Sequence, residues 1–309
     1  MFIKPVRTLV LMAGLLCCLA SCDDTFVDPF ENDDRYFTLF GFLDQLETEH
    51  AVRVVPVTRT PERILSPTDP QAAIDAVVTS IELQTGATQT WRHHLERLDD
   101  GTYAHIFRAS FIVQPNYTYR LEVRRSDGAT ATAETTVPYI PDATYYVIDP
   151  IQISEDSVVT QDVFIPKVPS PWDIQGVYLM STADTGEGAL NGRFSRPYDR
   201  SGERTEDGGW RFTMNLTEDL IQVREVISEF QRQSVYNTSP IGLTSMGVQI
   251  RMLDDQWNPP EGVFDPEVLA QPGRLSNVEN GYGFWGSIGL YRQEWSVSSD
   301  FSRLLGNDF

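Results

Sequence analysis

Cysteine is scarce in this chain, and all three cysteines lie within the first 22 residues. Cys17 and Cys18 belong to an apolar stretch, and Cys22 follows it closely. Beyond position 22 the chain carries no thiol, which excludes a disulfide, a cysteine nucleophile and a thiolate metal site from its folded part. The stability of the fold must therefore come from the burial of apolar side chains.

Basic residues are also few, with 24 lysines and arginines against 44 acids and a formal net charge of −20. Removal of residues 1–21, which contain Lys4, Arg7 and no acid, changes this charge to about −22. We expect no nucleic-acid partner, because binding to phosphates requires a basic face. Anionic lipid headgroups would also repel so acidic a surface.

No apolar run reaches the roughly 20 residues that a membrane-spanning helix needs. The run from Leu9 to Leu19 follows a basic start and ends in Leu19-Ala20-Ser21-Cys22. These are the parts of a secretory signal, followed by a cysteine whose thiol can accept a diacylglycerol. We interpret residues 1–21 as a lipoprotein signal peptide and Cys22 as the lipidation site, so that the lipid on Cys22 anchors the protein to a membrane.

An acidic segment follows the lipidation site. Residues 22–35 are rich in carboxylates and predict a solvated tether. Calcium binding is disfavoured there, because a glycine-bearing loop with ligands at alternate positions is missing. Asp23 and Asp24 resemble the sorting signal that sends Bacteroidota lipoproteins to the outer face of the outer membrane. We expect an outer-membrane protein at the cell surface, with a periplasm-facing protein as the alternative.

Common catalytic motifs are missing as well. The Gly-x-Ser-x-Gly, His-Glu-x-x-His and phosphate-loop patterns do not occur. His93 and His94 would point to opposite faces of a strand, so at most one of them can join His105, and His50 has no visible partner. We expect no enzyme, no metal and no cofactor, although a glycosidase with two facing carboxylates stays open.

From Tyr36 onward the pattern favours strands. Residues 117–124 alternate strictly between apolar and polar, and Asp99-Asp100-Gly101 and Ser126-Asp127-Gly128 are typical hairpin turns. About seven such strands predict a β-sandwich of immunoglobulin or fibronectin type III character over residues 36–138. Pro138 and Pro141 mark its expected end.

Residues 142–309 predict a second, β-rich domain. One amphipathic helix interrupts its strands over residues 217–230, where Thr217 can cap the first turn. The helix carries one apolar stripe, formed by Leu220, Val223, Ile227 and Phe230. The chain is therefore expected to be mainly β, with two domains after the tether.

Two stretches are similar to a known family. Tyr117–Val123 with Asp127-Gly128 forms a late hairpin, and residues 276–287 combine asparagines, a glycine-rich turn and aromatics. Together with the lipobox they resemble a Bacteroidota outer-membrane lipoprotein family of unknown function, whose genes accompany TonB-dependent receptors. The resemblance implies an accessory surface lipoprotein of a nutrient-uptake system.

The glycines and asparagines of residues 276–287 have a structural explanation, because they favour turns and close backbone approach. The alternative places Tyr282 and Trp285 on a rim where sugar rings stack. Two other functions stay open beside the accessory role. One is a structural or adhesive envelope protein, and the other is a glycan- or peptide-binding module that uses Trp91, Trp172, Trp210 or Trp257.

Overall fold

The computed structural model describes residues 35–58, 63–140, 147–148, 152–153, 158–165, 168, 171–182, 191–198, 202–233, 241–255 and 276–296. The predicted signal peptide, nearly all of the acidic tether, Cys22, Asp23 and Asp24 lie outside these residues. The described residues from Arg35 onward form one compact unit.

The predicted fold class is confirmed: 60% of the structure is strand and 8% is helical. In the described part of the chain the single α-helix, α1, is Leu216–Gln233. The strands are β1 Phe37–Asp44, β2 Glu49–Pro56, β3 Val77–Glu82, β4 Thr88–Thr90, β5 Arg92–Arg97, β6 Tyr103–Ser110, β7 Thr118–Arg124, β8 Thr130–Thr136, β9 Val147–Ile148, β10 Gln152–Ile153, β11 Val159–Ile165, β12 Pro171–Thr182, β13 Asn191–Pro197, β14 Glu203–Arg204, β15 Trp210–Asn215, β16 Ile241–Leu253, β17 Val278–Glu279 and β18 Gly281–Ser296.

These strands form three sheets. The large sheet has eight strands in the order β13-β12-β16-β18-β1-β2-β6-β5. The first small sheet has the order β17-β8-β7-β3-β4. The second small sheet has the order β10-β11-β15-β14, with β9 paired to β11.

The first small sheet packs on the large sheet as a sandwich. Leu39 and Val54 of the large sheet share a core with Leu121 and Val123, and all four side chains are fully buried. Alternate residues of β7 are buried, as the period of two predicts. Burial of an apolar side chain of this size contributes about 1.5–3 kcal/mol.

The predicted boundary between residues 138 and 142 needs a correction. Strand β18 pairs in parallel with β1 from Phe37–Gly281 to Asp44–Ile288, and β17 pairs with β8. Trp285 therefore lies in the core of the N-terminal sandwich. Local alternation could not predict this, because parallel partners come from distant parts of a chain.

Helix α1 packs in a second core with the second small sheet. Leu220 and Val223 are buried there, in agreement with the predicted stripe. The side chains of Ile227 and Phe230 are not among those that the structure describes. Asn215, rather than Thr217, caps the helix, since its Oδ1 accepts the Glu218 N–H at 3.2 Å.

Both cores lie on one face of the large sheet. Trp285 belongs to the first core and Tyr291 to the second, and the even spacing along β18 places them on the same side. We call the opposite side the outer face. It carries Arg193 from β13, Gln249 and Arg251 from β16, and Arg292 from β18.

Candidate functional site

The motif of residues 276–287 joins β17 and β18 to the sandwich. Oδ1 of Asn277 accepts the Trp285 N–H at 3.0 Å, and Nδ2 donates to the Trp285 carbonyl at 2.6 Å. Asn280 and Gly283 have positive φ angles of 54° and 90°. A Cβ at Gly283 would lie 2.0 Å from the Leu39 carbonyl oxygen, so this glycine permits the close pairing of β1 with β18.

The two aromatic residues proposed for a sugar-binding rim differ in exposure. Trp285 is fully buried, and its ring lies edge-on to Trp91 with centroids 5.6 Å apart. A ring without exposed surface cannot stack on a sugar, which corrects that alternative for Trp285. Tyr282 is half-buried, and the Arg35 guanidinium lies 4.4 Å from its ring centroid.

The histidines form a short hydrogen-bonded chain. Nε2 of His105 lies 2.9 Å from the Gln71 carbonyl, and its Nδ1 lies 2.9 Å from Nε2 of His93. His93 thus joins His105, although both His93 and the neighbouring His94 are exposed at the surface. Burial lowers the pKa of both bonded imidazoles. No group of three potential metal ligands occurs in the described residues.

A buried polar cluster connects the first small sheet to the end of β16. The Thr135 hydroxyl donates to the Asp254 carboxylate and lies 2.7 Å from the Ser287 hydroxyl. The Ser287 N–H also donates to Asp254, at 2.9 Å. All three side chains are buried, and each contacts the others, so they bind the sheets to one another.

A second buried carboxylate lies at the start of α1. Asp219 accepts hydrogen bonds from the hydroxyls of Tyr178 and Tyr198, and Arg196 Nε lies 2.9 Å from its Oδ1. Burial raises the pKa of Asp219, against the opposing effect of these partners. Burial also raises the pKa of both tyrosines, which keeps them protonated as donors. This arrangement fixes α1 to β12 and β13.

The outer face brings two arginines together. Nη2 of Arg193 donates to Oε1 of Gln249 at 2.7 Å, and Nε of Arg292 donates to the same oxygen at 2.9 Å. Sequence reasoning did not single out these residues, because they come from three strands. Within each strand, the sequence shows only that polar residues alternate with apolar ones, which marks an exposed face but not a site.

Next to them, Arg251 lies in an ion pair with Asp44 and against an aromatic ring. Its guanidinium carbon is 4.7 Å from the ring centroid of Trp172, which is 39% exposed. Of the other tryptophans considered for ligand binding, Trp91 is buried, Trp210 is half-buried and Trp257 lies outside the described residues. The outer face thus combines cations, amides and one exposed tryptophan.

The chain matches no family model, and no curated protein is similar to it in sequence. Among solved structures, the pullulanase from Anoxybacillus sp. LM18-11 is similar over 69% of this chain and 24% of its own, with 11% identity and a TM-score of 0.20. Pullulanase complexed with maltotriose, from the same organism, is similar over 70% and 24%, with 10% identity and a TM-score of 0.20. The chain spans about a quarter of that enzyme's length, and such scores support neither a shared fold nor a shared function.

Within the described residues, no helix combines the length and the apolar character needed to cross a bilayer.

Proposed function

We propose that this chain is a lipid-anchored cell-envelope protein that serves as an accessory or binding component of an outer-membrane, TonB-dependent nutrient-uptake system. The lipobox before Cys22 carries this proposal, since it predicts both export and acylation. The resemblance of residues 117–128 and 276–287 to the Bacteroidota lipoproteins supports the accessory role. The exposed arginines on the outer face are also compatible with binding.

Substitution of the lipidated cysteine tests the anchor. Cys22→Ala should abolish labelling by radioactive palmitate and release the protein from the membrane fraction, because the acidic surface offers no other attachment. Cys18→Ala is the matched control, because it keeps the apolar run and should leave labelling unchanged. An unlabelled Cys22→Ala protein that still sediments with membranes would contradict the proposal.

Protease treatment of intact cells tests the placement. The wild-type protein should be degraded without lysis, whereas alanine at Asp23, Asp24 and the other tether acids should keep lipidation but protect the protein. Protection of the wild-type protein until lysis would favour the periplasm-facing alternative.

Affinity purification from detergent-solubilised membranes tests the partner. Co-purification of a TonB-dependent receptor supports the accessory role. Retention on a glycan array without a receptor favours the alternative binding module, and neither result favours a structural or adhesive protein.

A further inference from the structure

Two arginines lie side by side on the outer face, held by one neutral amide. Arg193 and Arg292 both donate to Oε1 of Gln249, at 2.7 and 2.9 Å. Gln249 is only 6% exposed, whereas both arginines are exposed at the surface. A fixed acceptor therefore places two guanidinium groups next to each other at the solvent boundary.

Within the described residues, neither guanidinium forms an ion pair. No acid in the described part of the chain lies within ion-pair distance of either arginine, whereas neighbouring Arg251 pairs with Asp44. Burial and the charge of Arg292 lower the pKa of Arg193, and Glu294 acts in the opposite direction. The two guanidinium groups thus repel each other in a chain whose net charge is −20.

Strand β12 carries further polar side chains opposite Gln249 and Arg251, and the Gln175 amide donates to the Asp173 carboxylate. Gln175 lies opposite Gln249 in the register between β12 and β16, and Asp173 lies opposite Arg251. The exposed Trp172 precedes Asp173 on β12. Amides, a carboxylate and an aromatic ring are the side chains that hydrogen-bond and stack against saccharides.

We propose that Arg193, Arg292 and Gln249 form a binding site for an oxyanion group, supplied by an acidic saccharide or by a free inorganic anion. A guanidinium fork matches the two oxygens of a carboxylate or sulfate. An anion between two such forks removes their repulsion, and the Gln249 amide supplies a further donor. This site depends neither on the lipid anchor nor on a receptor, so its test is independent of the proposed function.

Binding is measured first on the full-length mature protein without substitutions, kept in solution with detergent. Sodium sulfate is titrated against sodium chloride at constant ionic strength while the arginine Nε–H signals are recorded by NMR. Arg193→Lys and Arg292→Lys variants assign the two signals. Saturable shifts of these two signals are expected, and shifts that are absent or equal for all arginines would overturn the proposal.

Substitutions then test the donors. Arg193→Gln and Arg292→Gln should each weaken sulfate binding at least tenfold, because each removes one guanidinium fork. Arg97→Gln on β5 is the matched control and should leave binding unchanged. Circular dichroism verifies folding, and a folded glutamine variant with wild-type affinity would overturn the proposal.

The source of the anion is distinguished with a sulfated oligosaccharide and its desulfated counterpart. Binding of the sulfated form at least tenfold tighter than inorganic sulfate, lost on desulfation, identifies an acidic saccharide. Equal affinity for sulfate and the sulfated oligosaccharide identifies a site for free anions. Tight binding of the desulfated form that is unaffected by Arg193→Gln would contradict the assignment of these residues.

Discussion

At the scale of single residues, hydrogen bonding determines where the protons of two imidazoles reside. The Gln71 carbonyl can only accept, so His105 carries its proton on Nε2 and its Nδ1 must accept from His93. A second proton on Nδ1 of His105 would remove this acceptor, and protonation of both rings would leave two N–H donors facing each other. The pair is therefore stable in its neutral form.

This pair predicts a pH dependence of stability. Burial lowers the folded-state pKa of His93 and His105 below the ordinary value of 6.5, so between these values the unfolded chain binds protons that the folded chain does not. The free energy of unfolding should fall as the pH drops below about 6.5 and should be unaffected by this pair above it. Urea unfolding at pH 7.5 and 5.5 measures the effect.

Two variants assign the effect to the pair. His93→Gln should reduce the loss of stability at pH 5.5, while His94→Gln, on the opposite face of the same strand, should not. Because each variant is compared with the wild type, the contributions of other titrating groups to the pH dependence cancel. A reduction in His94→Gln alone would contradict the assignment.

At the scale of elements, the parallel pairing of β1 with β18 depends on a glycine in the late motif. Gly283 combines a φ of 90° with a backbone approach that leaves no room for a side chain. Gly86 also has a positive φ, of 76°, but a Cβ there would meet no atom within 4 Å. A comparison of the two positions therefore distinguishes the cost of a positive φ angle from the cost of a steric clash.

Gly283→Ala should destabilise the fold by more than about 3 kcal/mol, since it adds a clash with the Leu39 carbonyl to the conformational cost. Gly86→Ala should cost about 1–2 kcal/mol, which is the conformational cost alone. Denaturant unfolding of both variants gives the comparison. Equal losses of unfolding free energy in the two variants would contradict this prediction, because they would show that β1 and β18 can move apart to accommodate the Cβ without a further cost.

At the scale of the whole molecule, the large sheet passes through both predicted domains. The same β18 supplies Trp285 to the first core and Tyr291 to the second. It pairs with β1 on one side and β16 on the other. Neither half can complete its core without this strand.

A fragment of residues 36–138 should therefore remain unfolded alone, contrary to the expectation from its local pattern. Addition of a peptide of residues 276–296 should restore dispersed amide signals in the NMR spectrum, because the peptide supplies the missing strand and Trp285. A peptide with Trp285→Ala should restore far less. A dispersed spectrum of the isolated fragment would show that its own eight strands, β1 to β8, suffice.

The sequence by itself determined the features that depend on neighbours along the chain. The alternation in residues 117–124 and the helical stripe in residues 217–230 predicted β7 and α1, because pleat and helix repeat over two and 3.6 residues. Asp127-Gly128 likewise predicted the turn between β7 and β8.

Tertiary structure alone decided which distant strands meet. Gln249 is 56 residues from Arg193 and 43 from Arg292, and Phe37 pairs with Gly281 near the other end of the chain. Periodicity identifies the exposed side of each strand but not its partner, because pairing follows from how all the apolar faces are buried together. The arginine pair therefore exists only in the folded sheet, where three separate strands place their outward side chains side by side.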